Sequence, residues 1–131
     1  MSAGDGARVA VRNLIEAIGQ RDLDALTSCF TSAATYRNVP HTPAVGHDAI
    51  RALFAPLVRR CERIQWDIVS EAYAGNRAHI ERLDRFWIDG QELVAPCHAV
   101  IVVDPDGCLI REFRDYVDLA PWRAALAGAL A

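Results

Sequence analysis

Apolar positions in the first half of the chain recur every three or four residues, the spacing of one helix face. The pattern predicts three helices: one that ends near Gly19, a second capped by Asp22, and a third that starts at about His47. Residues 35–38, before the third helix, predict a short strand. The apolar faces of the three helices consist of Val11, Leu14, Ile15 and Ile18; of Leu23, Leu26 and Phe30; and of Ile50, Leu53, Phe54 and Leu57.

After residue 61 the hydrophobic period changes from 3.6 to 2, which indicates strands. The predicted strands cover 62–73, 76–88, 91–104 and 108–117, and a last helix follows with Leu119, Trp122 and Leu126 on one side. Helices followed by consecutive strands predict one α+β domain over residues 1–131. We expect a curved antiparallel sheet packed against the N-terminal helices.

The dipeptide Asp89-Gly90 is typical of a two-residue hairpin loop between two antiparallel strands. With this loop, Arg82 lies directly opposite Cys97 on the next strand. Asp84 lies two residues from Arg82 and therefore points to the same face of the sheet.

A second turn, at residues 105–107, predicts a three-residue loop with Gly107 in the left-handed conformation. This loop places Cys97 opposite Asp115, so Asp115 shares the face that carries Arg82. A slip of one residue in either hairpin would break this agreement. The apolar residues predicted on the same face are Ile80, Phe86, Ile88, Leu93, Ala95, Ala99, Ile101, Val103, Leu109, Phe113 and Val117.

Arg82, Asp84 and Asp115 are thus predicted to lie in the middle of an apolar face, where charges must be paired. A cluster of this kind can simply hold the sheet together. Two carboxylates that share one arginine in an apolar cavity can also hold a single proton, which supplies an acid and a base in one pocket. Tyr36 and Asn38 share one face of their strand and can hold a water molecule, or they form a polar edge beside a loop.

Composition limits the class of protein. A chain of 131 residues, 52% of them hydrophobic, is sufficient for one folded domain. The net charge of −3 argues against a nucleic-acid partner, and no apolar run is long enough to span a membrane. The first residues lack a basic stretch followed by an apolar one, so we expect a cytoplasmic protein. The four cysteines and four histidines show no spacing of metal ligands, so no metal site is predicted.

The opposite face of the sheet is predicted to expose several apolar side chains. A face this apolar is unusual for a monomer, so we expect a homodimer formed across it. The residues concerned are Trp87, Val100, Val102 and Ile110.

Three motifs resemble those of the limonene-1,2-epoxide hydrolase family, within the SnoaL-like and nuclear-transport-factor-2-like (NTF2-like) fold. They are Y-R-N-V-P at residues 36–40, R-L-D at 82–84 and F-R-D-Y-V-D at 113–118. The resemblance covers nearly the whole chain and implies a cone-shaped, cystatin-like fold with a deep apolar pocket.

The resemblance also implies a role for each site residue. Asp115 would be the general base on a water molecule that Tyr36 and Asn38 hold in place. Asp84 would be the general acid that protonates the epoxide oxygen, and Arg82 would bridge the two carboxylates. The substrate would be a small apolar epoxide, and the product a vicinal diol, formed without any cofactor. Two alternatives stay open: a ketosteroid-isomerase-like or polyketide-cyclase-like enzyme, and a module that binds a small ligand without catalysis.

Overall fold

The computed structural model describes residues 3–118, 120, 123 and 124, which form three helices and six strands. The predicted last helix, with Leu119, Trp122 and Leu126, lies outside the described residues. The helices are α1 (Ala3–Gly19), α2 (Leu23–Ser28) and α3 (Gly46–Arg60). The strands are β1 (Phe30–Val39), β2 (Ala44–Val45), β3 (Arg63–Ala74), β4 (Arg77–Ile88), β5 (Gln91–Val103) and β6 (Ile110–Val117).

The helices confirm most of the prediction. Helix α1 ends at Gly19, and the Asp22 carboxylate accepts the backbone N–H of Ala25 at 3.0 Å at the start of α2. This contact caps one of the unpaired N–H groups that every helix start leaves. In α3 the prediction was wrong for Leu53, which is 44% exposed because it borders an open cavity between α3 and the sheet. None of the described helices is long and apolar enough to span a membrane.

The six strands form one sheet in the order β2-β1-β6-β5-β4-β3. Neighbouring strands are antiparallel except β1 and β6, which run parallel. Strand β1 is longer than the predicted 35–38 because Phe30, Ala34 and Tyr36 are all buried against the core. Helices α1 and α3 pack against the sheet, α1 on β3 and α3 on β1, so the hydrophobic core lies between the helices and one sheet face.

The register of β4 and β5 confirms the prediction from the first turn. Arg82 lies opposite Cys97, and the strands meet at a two-residue loop. Both loop residues have positive φ, +51° at Asp89 and +78° at Gly90, as a type I′ turn requires.

The register of β5 and β6 was predicted two residues away from its position in the structure. Asp115 lies opposite Ala99, not Cys97. The loop is one residue longer than expected, because the Asp104 N–H donates to the Leu109 carbonyl at 2.8 Å. Gly107 is not among the residues with positive φ, and a bulge in the ladder adds the second residue of shift. A shift of two preserves the face, so Asp115 still points into the core.

The bulge also exchanges the faces of the sheet to which two residues next to it point. Ile110, predicted on the outer face, is fully buried, whereas Leu109, predicted in the core, is 43% exposed. Val100 and Val102 are buried too, because each lies on the central strand between longer side chains of β4 and β6. Of the four side chains from which we predicted a homodimer, Trp87 alone is partly exposed, and the homodimer itself stays a prediction.

Candidate active site

Three charged side chains meet on the concave, helix-covered face of the sheet. Arg82 and Asp84 come from β4, Asp115 comes from β6, and β5 runs between these two strands. Their side chains are only 1%, 7% and 5% exposed, respectively. Alternation along β4 explains the pair: residues 82 and 84 point to the same side as the apolar Ile80 and Phe86.

The Arg82 guanidinium joins the two carboxylates. Its Nε donates to Asp84 Oδ1 at 2.9 Å, and its Nη2 donates to Asp84 Oδ2 at 2.8 Å. The same Nη2 donates to Asp115 Oδ2 at 2.8 Å. Paired charge-assisted contacts of this kind fix both the position and the orientation of a carboxylate. Arg82 therefore holds Asp84 with two bonds and Asp115 with one.

Burial determines the charge state of this cluster. One guanidinium and two ionised carboxylates would leave a net negative charge in a place with little water, which is unfavourable. Burial accordingly raises the pKa of Asp115 above its usual range, and the nearby Arg82 charge offsets only part of that effect. Burial therefore makes the ionised Asp115 carboxylate a stronger proton acceptor than an exposed one.

The strand pairing brings Tyr36 and Asn38 to the same place. In the parallel pair of β1 and β6, Tyr36 lies opposite Phe113 and Asn38 lies opposite Asp115. The Tyr36 ring stacks on Phe113 with centroids 4.6 Å apart, and its hydroxyl donates to Asp115 Oδ2 at a long 3.5 Å. All five residues predicted for the site are therefore neighbours in the structure.

One oxygen of Asp115 is free to accept a proton. Its Oδ1 atom is buried and has no hydrogen-bond partner among the described residues. A buried acceptor without a partner is costly unless a water or a ligand pairs with it. Tyr36 and Asn38 stand beside Asp115, so three polar side chains meet at this point of the sheet.

A cavity of about 220 Å³ opens beside the cluster. Its wall is mainly apolar, with polar atoms from the two carboxylates and from β1. Small-molecule sites typically combine an apolar wall with a few convergent polar groups in this way. The lining residues are Tyr36, Asn38, Leu53, Phe54, Pro56, Leu57, Trp66, Asp84, Phe86, Ala95, Cys97, Asp115 and Val117.

Among the lining residues that were not identified as site residues from the sequence, two stand directly beside the charged cluster. Trp66 lies opposite Asp84 on β3, and its ring covers the Arg82 guanidinium at 4.4 Å. Cys97, opposite Arg82, was located correctly by the register but was interpreted as a buried thiol. Neither residue belongs to one of the three motifs, and a bulge in β3 determines the face of Trp66.

The side chains of Asp84, Cys97 and Asp115 place one oxygen or sulfur atom each within 4.8 Å of one another, close enough to bind a metal ion. Two features oppose this use. Burial raises the pKa of the Cys97 thiol well above its usual range, which disfavours the thiolate that a metal needs. The Arg82 guanidinium already supplies positive charge to both carboxylates. The donor set is better suited to proton transfer.

Asp118 lies at the end of β6, outside the cluster. It is exposed, and its carboxylate accepts the backbone N–H of Ala120 at 3.1 Å. This is a local turn contact of the kind that caps helix starts. Of the two aspartates in the last motif, Asp115 alone faces the cavity.

Comparison with solved structures shows which fold this is. An LEH-like epoxide hydrolase from M. tuberculosis is 22% identical, with a TM-score of 0.79, over 97% of this chain and 93% of that one. A SnoaL-like polyketide cyclase from Shewanella denitrificans is 14% identical, with a TM-score of 0.80, over 93% and 97%. The BvnE pinacolase of Penicillium brevicompactum is 12% identical, with a TM-score of 0.84, over 97% and 92%. At these identities the likeness establishes the fold alone.

The sequence itself matches a family over most of its length. No curated protein matches it, but the SnoaL-like domain family matches residues 11–113. That range contains α2, α3, the five strands β1 to β5 and most of the cavity wall. It confirms the α+β, NTF2-like fold expected from the order of elements. The chain therefore belongs to the SnoaL-like domain family.

Proposed function

We propose that this protein is a cofactor-independent epoxide hydrolase that adds water to a compact alicyclic or terpenoid epoxide and releases a vicinal diol. The observation that supports this proposal is the Arg82 guanidinium bonded at once to two buried carboxylates at the wall of an apolar cavity. Opening an epoxide at neutral pH needs a base for the water and an acid for the ring oxygen. This cluster contains one carboxyl group for each task.

The position of each residue indicates its role. Asp115 lies beside Tyr36 and Asn38 and has a free oxygen, so it acts as the base on a water that these three residues hold. Its raised pKa makes it a stronger base than an exposed aspartate. Asp84 lies across the cluster and acts as the acid, and Arg82 keeps both carboxyl groups in place.

The reaction is one concerted step. The water oxygen forms a bond to a ring carbon while the bond between that carbon and the ring oxygen breaks. Asp115 takes one proton from the water, and the proton of Asp84 moves to the departing oxygen, which becomes a hydroxyl. After the step Asp115 carries a proton and Asp84 is ionised. Proton exchange between the two carboxyl groups, through solvent, restores the starting state.

Diol formation from a panel of cyclic epoxides, without added cofactor, tests this function. A single turnover in H₂¹⁸O tests the mechanism: direct attack by water places ¹⁸O in the first diol formed, whereas an ester intermediate would place an oxygen of the enzyme there. Asp118→Asn serves as a control, because this aspartate lies outside the cavity. The absence of diol from every epoxide in the panel would contradict the proposal and favour an isomerase-like or cyclase-like enzyme or a binding module.

A further inference from the structure

The indole ring of Trp66 forms part of the cavity wall next to the carboxylate cluster. Trp66 lies on β3 directly opposite Asp84, and it is 5% exposed. Its ring lies over the Arg82 guanidinium, whose central carbon is 4.4 Å from the ring centroid. This cation–π contact explains why an aromatic residue stands here. It does not explain why that residue has an N–H group.

The indole N–H of Trp66 is buried and has no hydrogen-bond acceptor in the described part of the chain. Unpaired buried donors destabilise a fold, and native proteins contain few of them. A phenylalanine would also present an aromatic face to the Arg82 cation and would leave no donor unpaired. The N–H group therefore calls for an acceptor that the described residues do not supply.

The nearby carboxylates are not that acceptor. Both oxygens of Asp84 accept hydrogen bonds from Arg82. Asp115 Oδ2 accepts from Arg82 and Tyr36, and Asp115 Oδ1 has no partner within the described ranges. The Trp66 N–H donates to neither carboxylate, so both carboxylates and this donor remain separate polar groups beside the cavity.

We infer that Trp66 donates a hydrogen bond to a second oxygen of the substrate, and that the natural epoxide is therefore an alicyclic compound with an additional hydroxyl, ether or carbonyl group. This inference rests on the proposed function and specifies its substrate class. Trp66 takes no part in the proton transfers. It favours oxygenated substrates because a site with a buried donor rejects an analogue that lacks the matching acceptor.

Two substrates and one substitution test the inference. Cyclohexene oxide and its ring-keto counterpart differ by one acceptor, and Trp66→Phe removes the donor while an aromatic ring remains over Arg82. We expect the wild type to prefer the keto epoxide. We expect Trp66→Phe to lower the ratio of kcat/KM on the keto epoxide to kcat/KM on cyclohexene oxide by roughly tenfold, mainly through a higher KM for the keto epoxide.

Trp87→Phe is the matched control, because Trp87 lies outside the cavity lining and packs against Arg63 at 4.6 Å. Trp87→Phe should leave kcat/KM unchanged on both epoxides. Equal losses on both epoxides in Trp66→Phe would mean that the N–H acts on the reacting oxygen. Unchanged values on both would mean that it contacts no substrate. Either result overturns the inference.

Binding separates this inference from the proposed function. If the wild type opens neither epoxide, the proposed function fails, and calorimetric titration with cyclohexanone and with cyclohexene still measures the role of Trp66. Tighter binding of cyclohexanone that disappears in Trp66→Phe supports the donor. Equal binding of the two ligands by the wild type contradicts it.

Discussion

At the scale of single residues, the site depends on the number of bonds that Arg82 makes to each carboxylate. Two bonds fix Asp84 and one bond fixes Asp115, and Asp115 Oδ1 has no partner among the residues that the structure describes. A purely structural cluster would pair every buried oxygen, because an unpaired one destabilises the fold. The unequal pairing is what a base with a free oxygen requires.

Substitution of either carboxylate separates catalysis from stability. Asp115→Asn removes the base and Asp84→Asn removes the acid, so each should lower kcat for epoxide opening by at least about 10²-fold, the contribution typical of a positioned acid or base. Rates are measured by diol release, and urea denaturation checks that each variant folds. Asp118→Asn should stay within about threefold of the wild type, because a capping aspartate lies outside the reaction. Folded Asp84→Asn and Asp115→Asn variants with near wild-type rates would refute the assigned roles.

The fall of kcat/KM at low pH should follow the protonation of Asp115. This residue must be ionised to accept a proton from water, and burial raises its pKa. The value of kcat/KM should therefore rise with pH through a midpoint above the usual aspartate pKa of about 3.9. The measurement is kcat/KM against pH on one epoxide. A midpoint at or below 3.9 would show that a different group limits the reaction.

Stability should change with pH in the opposite direction. Folded Asp115 keeps its proton to a higher pH than the unfolded chain does, because its pKa is raised on folding. Its contribution to the free energy of unfolding is therefore largest below about pH 3.9 and is lost as the pH rises through the raised value. Urea denaturation across this range should show that decline in the wild type and a smaller one in Asp115→Asn. Parallel curves would contradict the raised pKa.

At the scale of elements, the two hairpins show which parts of the register local sequence determines. The type I′ turn at Asp89 and Gly90 depends on two adjacent residues, so the register of β4 and β5 was predicted correctly. The loop after β5 depends on a bulge, whose extra residue no dipeptide encodes. The error of two residues left Asp115 on the correct face, because faces alternate with a period of two.

A bulge also explains why Trp66 was not identified from the sequence. The turn between β3 and β4 pairs Ala74 with Arg77, and extrapolation from that turn would place Trp66 opposite Arg85, on the other face. The bulge in β3 between Ile68 and Ser70 moves Trp66 opposite Asp84 instead. Arg82 and Asp84 were found because a regular two-residue turn sets the register of β4 and β5, whereas the position of Trp66 in the cavity wall depends on a bulge.

The two turn glycines offer a matched test of the hairpins. Gly90 has φ +78°, a backbone conformation that strains any residue with a Cβ. Space is not the cause, because a Cβ added here would meet no described atom within 4 Å apart from those of its chain neighbours. Gly90→Ala should therefore cost about 1 kcal/mol of unfolding free energy, purely through its backbone conformation. Gly107 also has free space around it but lacks a positive φ, so Gly107→Ala should be neutral or slightly stabilising. Urea denaturation of both variants provides the comparison. Equal losses would show that the second loop needs a glycine after all.

At the scale of the whole molecule, one fold supports different activities because the sheet and helices only form the scaffold around the cavity. The order of helices and strands was enough to predict that scaffold, since few α+β arrangements bury both a helix face and a sheet face. The chemistry depends on which side chains replace apolar residues on the concave face. In this chain the replacements are Arg82, Asp84 and Asp115, and the size of the remaining cavity then limits the substrate.

The cavity predicts a limit on substrate size. At the packing density of protein interiors, near 0.75, a cavity of about 220 Å³ holds roughly 165 Å³ of van der Waals volume, about that of a ten-carbon ring compound. We expect kcat/KM to be highest for epoxides of about this size and to fall more than tenfold for a tetracyclic steroid epoxide. Leu57 belongs to the part of the cavity wall that α3 forms, so Leu57→Ala enlarges the cavity. This substitution should raise kcat/KM for a larger bicyclic or tricyclic epoxide relative to cyclohexene oxide. If the steroid epoxide is turned over as well as the small ones in the wild type, the substrate extends beyond this cavity, and its walls do not select for size.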